Sequence, residues 1–183
     1  MPRPKRFSDD EVLESAARVM FRAGPSEFTL AEVAAEAGIA PATLVQRFGG
    51  KHGLIVRAIQ WDNTRFAGML EALPDATGAA AVIAVFRLLT PEVQEVGAFA
   101  DQLLWLRLDM RDPDLNALAR ERFRLLREAV AARLPPLALA PADAAQLIEA
   151  QWQGALNQWG VAPEGSLADY VTQSLARWFA LVR

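Results

Sequence analysis

Apolar residues recur three and four positions apart along almost the whole of this chain, and no run of β-branched and aromatic residues alternates with polar ones. That periodicity leaves helices as the only regular structure and makes the expected fold class all-α. Breakers then cut the chain into about nine helices. Ser8, with Glu11 three residues on, has the spacing of a capping box for a helix ending near Ala23, before Gly24-Pro25. Thr29 and Glu32 repeat the device for a short helix that stops at Gly38, and Pro41 opens a third helix ending near Phe48. A longer helix is expected from Lys51 to about Leu73. Further helices are expected over Ala76 to Leu89, Pro91 to Met110, Pro113 to Leu134, Pro141 to Trp159 and Ser166 to Val182.

The second and third of these helices, joined by a tight turn, read as a helix-turn-helix. Leu30, Val33, Ala34 and Ala37 line one face of the first, Ile39 plugs the turn, and Leu44 and Phe48 face back from the second. Pro41, Ala42, Thr43, Val45, Gln46 and Arg47 are left to face outward, on a surface narrow enough for a major groove. Gln pairs with adenine and Arg with guanine, whereas Ala, Pro and Val read shape or a thymine methyl. Lys51 and the helix start at Thr29 are candidates for phosphates, and Arg3, Lys5 and Arg6 form a basic arm suited to backbone or minor-groove contact. The bland alternatives are a helical hairpin with solvated Gln46 and Arg47, and a terminus that only solubilises.

Composition narrows the function. There is no Cys and one His in 183 residues, so neither a thiolate site nor the usual zinc constellation is expected, and no metal or cofactor is assigned. Net charge is -3, yet the first 60 residues hold eight Lys/Arg against seven acids, so any affinity for DNA must come from placement. The charged start carries no secretory pattern, and the longest apolar run, Ala79 to Phe86, is far short of the roughly 20 residues a bilayer span needs. A cytoplasmic protein without membrane contact is expected. An enzyme is disfavoured: Gly49-Gly50-Lys51-His52 lacks the earlier glycine of a phosphate loop, follows no strand and has His where Ser or Thr should hold magnesium.

The stretch FTLAEVAAEAGIAPATLVQRFGGKHGLI, residues 28 to 55, resembles the DNA-binding segment of the TetR family of transcriptional regulators. The likeness lies in the Thr29 cap, the Ala-Gly-Ile turn, Thr43-Leu44, the closing Phe48 and Lys51. Val45 stands where the family usually has a tyrosine, and Ala40 where it often has Ser. The resemblance implies an N-terminal three-helix DNA-binding domain, residues 1–50, and a C-terminal helical domain, residues 51–183, for effector binding and dimerisation. It implies a repressor that binds a palindromic operator as a homodimer and answers to a small molecule.

For the effector, Val82, Phe86, Phe99, Leu103, Leu106, Met110 and Phe123 are the apolar candidates, with Gln102 and Arg107 as polar anchors, though such residues also fill ordinary cores. For the dimer, two apolar stripes on the last two helices point to Ile148, Gln151, Trp152, Ala155, Trp159, Val171, Ser174, Leu175 and Trp178, unless they fill one subunit's core. Arg120, Arg122, Arg124 and Arg127 read as a solvated face. A helical dimeric interaction module without specific DNA binding is the alternative function.

Overall fold

The computed structural model describes residues 7–90 and 96–182, with the side chains of 96–99, 101 and 102 left aside. Among the described residues are nine helices and no strand: α1 (Asp9–Ala23), α2 (Leu30–Glu36), α3 (Pro41–Phe48), α4 (Lys51–Glu71), α5 (Ala79–Leu89), α6 (Val96–Arg111), α7 (Pro113–Ala131), α8 (Pro141–Val161) and α9 (Leu167–Leu181). The all-α expectation holds. Helix α5 starts three residues later than expected, because Gly78, at φ 110°, takes a conformation that a helix cannot include. The expected start at Pro91 lies outside the described residues.

The helices gather into two compact units. The first runs to Phe66 and takes in Asp101–Glu121, and the second holds Ala67–Ala100 and Arg122–Arg183. The boundary expected after residue 50 therefore falls inside the first unit. Most of α4 and the α6–α7 corner share its core: Val12, Met20, Phe28, Val33, Leu44, Leu54 and Leu115 are all shielded from solvent. Each such side chain contributes about 1.5–3 kcal/mol through burial. Asn63, buried on α4, donates to the carbonyl of Leu118 on α7 at 2.9 Å, so this polar side chain is satisfied where it is buried.

In the second unit α9 packs against both α5 and α8. Val82 and Phe86 of α5, Ile148, Ala155 and Trp159 of α8, and Val171, Leu175 and Phe179 of α9 are buried. The Trp159 indole N–H donates to the Gly165 carbonyl at 3.2 Å, closing the α8–α9 turn. The solvated-face reading needs correction at Arg127. Its Nε donates to Oε2 of the buried Glu149 at 2.6 Å, because a carboxylate inside a core requires a charged partner. Arg124 fits the expectation, pairing with Glu128 one turn along on the exposed face. No helix among the described residues is long and apolar enough to cross a membrane.

Candidate nucleic-acid interface

The reading head begins with two capping boxes. At α1 the Glu11 N–H donates to Ser8 Oγ at 3.2 Å while the Ser8 N–H donates to Glu11 Oε2 at 2.7 Å. At α2 Thr29 and Glu32 exchange the same pair of bonds at 3.2 and 2.7 Å. Bonds from Ser8 and from Thr29 hold the Glu11 and Glu32 carboxyls below the usual glutamate range. A depressed folded value means stability that is present above the ordinary pKa and is lost as pH falls through the lowered one. Urea midpoints of the first unit should therefore drop on acidification from about pH 6 to pH 3. Glu32→Gln, which keeps a bond to the cap but cannot titrate, should blunt that drop.

Helix α3 sits against α2 through Leu44 and Phe48. The chain enters it through a backbone turn. Gly38, at φ 66°, lies against the Phe7 ring, where an added Cβ would come within 3.5 Å of Cζ, and the Ile39 N–H donates to the Ala34 carbonyl at 3.0 Å. Pro41 occupies the first turn and Ala40 supplies no side-chain cap, so no side chain competes for the first N–H groups of α3. Gly49, left-handed at φ 76°, ends the helix.

Five of the outward candidates on α3 lie at the surface: Pro41, Ala42, Val45 and Gln46 are exposed and Thr43 is half-buried. Val45, at 49% exposure, is an apolar side chain held in solvent. Arg47 is not part of this face. Its guanidinium donates to the Phe7 carbonyl at 2.8 Å and lies 3.5 Å from the Asp9 carboxylate, with only 11% of the side chain exposed. The physical reason is its register. Arg47 lies three residues from buried Leu44, at the edge of the packed face, where an inward bond replaces solvent. That spacing was the available signal.

Lys51 is likewise held. Its ammonium donates to the carbonyls of Ser26 at 3.2 Å and Phe28 at 2.6 Å, and stands 4.2 Å from the centre of the Phe28 ring. This fastens the start of α4 to the approach of α2. Thr29 is occupied too, since its hydroxyl serves the capping box. Arg3, Lys5 and Arg6 lie outside the described residues.

The effector candidates divide between the units. Val82 and Phe86 are buried in the second, where the Trp152 ring meets Phe86 at a tilt, 5.3 Å between centres, and its N–H donates to Thr90 Oγ1 at 3.1 Å. Phe123 is half-buried there. In the first unit Leu103, Leu106, Arg107 and Met110 are exposed, and Arg107 lines an open groove of about 330 Å³ with Pro25, Ser26, Leu104, Leu108 and Arg111. The side chains of Phe99 and Gln102 lie outside the described residues.

Five of the dimer candidates need correction. Ile148, Ala155, Trp159, Val171 and Leu175 have at most 1% exposure within their own chain, so a second chain cannot reach them. Gln151 donates to Ser174 at 2.8 Å, Trp152 is half-buried and bonded to Thr90, and Trp178 meets Phe179 edge-on at 5.1 Å. Gln151, Trp152, Ser174 and Trp178 stay half-exposed, and these helices also expose Leu147, Val161 and Leu181.

Residues 12–58 match the family model described as bacterial regulatory proteins, tetR family. That stretch is a TetR-type regulatory domain. The family it matches is one of regulatory proteins, which agrees with the expectation of a regulator over an enzyme. The likeness of fold to solved structures extends along nearly the whole chain. A transcriptional regulator from Rhodococcus sp. Rha1 superposes with a TM-score of 0.77 at 17% identity, covering 96% of each chain. FadR from Bacillus subtilis, solved in complex with stearoyl-CoA, gives 0.63 at 15% identity over 94% of this chain and 98% of its own. SmeT, the repressor of the Stenotrophomonas maltophilia multidrug efflux pump SmeDEF, gives 0.59 at 18% identity over 97% and 91%. No curated protein matches the chain.

Proposed function

We propose that this chain, with its TetR-type regulatory domain, is a DNA-binding, ligand-responsive repressor that acts in the cytoplasm, binding a palindromic operator as a homodimer. The observation that carries the reading is the exposed Pro41, Ala42, Val45 and Gln46 face of α3, on a helix whose other side is locked into a core. A two-fold dimer would set two such helices roughly 34 Å apart, one turn of duplex. Leu147, Val161 and Leu181, apolar and exposed, are the surface we assign to the pairing. An effector with an apolar body, as in the stearoyl-CoA of the FadR complex, would act by favouring a conformation with the heads wrongly spaced. Moving that balance from 1:99 to 99:1 takes about 5.5 kcal/mol of differential binding.

Selection of bound fragments from genomic DNA by the purified protein tests the reading. A palindrome supports it, and a set with no common sequence favours the interaction module. On the recovered operator Gln46→Ala should cost about 1–2 kcal/mol, concentrated at one base pair of each half-site. Arg47→Ala should instead weaken binding evenly across sequences and lower the thermal midpoint, since its bonds are to Phe7 and Asp9. A base-specific loss for Arg47→Ala in competition binding would return that side chain to the groove.

A further inference from the structure

The single histidine, which in the linear sequence has no ligand neighbour, is joined in the fold by two carboxylates. His52, in the first turn of α4, places Nε2 2.8 Å from Asp112 Oδ2 and 3.9 Å from Asp114 Oδ2, at the corner between α6 and α7. All three ligand atoms lie within 4.8 Å of one another, and all three residues belong to the first unit. We propose that His52, Asp112 and Asp114 form a binding site for a first-row divalent cation, with Zn2+ the preferred ion.

The donor set and its support both favour this. A neutral imidazole with two carboxylates carries a charge of -2, matching a divalent ion. One nitrogen with two oxygens suits Zn2+ better than Mg2+, which seeks oxygen ligands alone, and with no thiolate present soft monovalent copper is not favoured. Ligand atoms at about 2.0–2.2 Å from one tetrahedral ion stand about 3.3–3.6 Å apart. Reaching that spacing opens the His52–Asp112 pair by about half an ångström and draws the two carboxylates together by roughly one or more, movements that the exposed side chains of His52 and Asp114 can make by rotation. Asp112 is the fixed member. Its Oδ1 accepts the N–H groups of Asp114 at 3.0 Å and Leu115 at 3.2 Å, capping α7 and turning Oδ2 toward His52. Those two bonds also occupy the helix N–H groups that would otherwise repel a cation. Solvent would complete the coordination. A bound ion would clamp the first turn of α4, two residues beyond the Gly49-Gly50 end of the reading helix, to the α6–α7 corner.

The test is calorimetric titration of Zn2+ into the full-length, chelator-treated protein freed of any polyhistidine tag, beside His52→Gln and Asp114→Asn. Both positions are exposed and neither caps a helix, and circular dichroism checks that both variants fold. The expected result is one Zn2+ per chain, a thermal midpoint that rises with Zn2+ and not with equal Mg2+, and at least roughly tenfold weaker uptake in each variant, since even an outer-shell partner is worth that much. Titration with Co2+ should give visible absorption in the wild type alone. No uptake by the wild type, uptake unchanged in both variants, or loss in only one of them would overturn the three-ligand site. None of these readouts uses DNA, so they stand or fall apart from the operator reading.

Discussion

Phe28→Ala is expected to cost the first unit about 3–5 kcal/mol, a large share of the 5–15 kcal/mol by which a domain of this kind is normally stable. Phe28 is 1% exposed and packs in one cluster with Val12, Met20, Val33 and Leu44, so truncation leaves a cavity where α1, α2 and α3 meet. It also removes the ring 4.2 Å from the Lys51 ammonium. That attraction is worth roughly 0.5–2 kcal/mol depending on how far it is desolvated. Two effects at one residue can be separated. Phe28→Leu keeps most of the buried volume and loses the ring, so the difference between the two variants reports the cavity. Urea denaturation followed by circular dichroism measures both, and operator binding should decline in parallel with the folded fraction. A loss below about 1 kcal/mol for Phe28→Ala would mean that the helix-turn-helix does not rest on this core.

Much of this unit was legible in the sequence because its signals are local. The Ser8-Glu11 and Thr29-Glu32 boxes, the positive φ at Gly38 and the proline at position 41 each act within four residues, and each appears where the spacing placed it. Apart from the start of α5, what spacing did not reveal is tertiary. Arg47 finds a carbonyl forty residues away, and Lys51 finds two carbonyls more than twenty away. Periodicity marks which face of a helix is apolar without marking what covers it. The buried members of the stripes on α8 and α9 are covered within the chain, where α9 packs on α8 and on α5. The same limit applies to the boundary after residue 50, since nothing local reveals that Asp101–Glu121 returns to the first core. Asp112 could have been found: an Asp directly before a proline that opens a helix is a cap in waiting. Its approach to His52 could not.

Gly53→Ala and Gly68→Ala are the same substitution in the same helix, and they should have opposite signs. In a helix interior alanine is favoured over glycine by about 1 kcal/mol, from backbone entropy alone. At Gly68 a Cβ would meet nothing within 4 Å, so Gly68→Ala should stabilise the protein by up to about that amount. At Gly53 a Cβ would lie 1.9 Å from the Phe48 carbonyl oxygen and 3.1 Å from its carbon. Both are backbone atoms, with no flexible tip to give way, and they belong to the last residue of α3. The start of α4 must then move off the end of the reading helix, and with it Lys51 from its bonds to Ser26 and Phe28. Overpacking of this kind costs about 1–3 kcal/mol, and here the upper end is expected because neither helix can yield alone. Thermal and urea unfolding of the two variants beside the wild type give the sign directly, and operator affinity gives its consequence. Gly53→Ala should lose binding even where it remains folded, because α3 is displaced, while Gly68→Ala should bind as the parent does. If Gly53→Ala were neutral in both measurements, the close approach between the end of α3 and the first turn of α4 would be wrong, and so would the placement of the reading helix that depends on it.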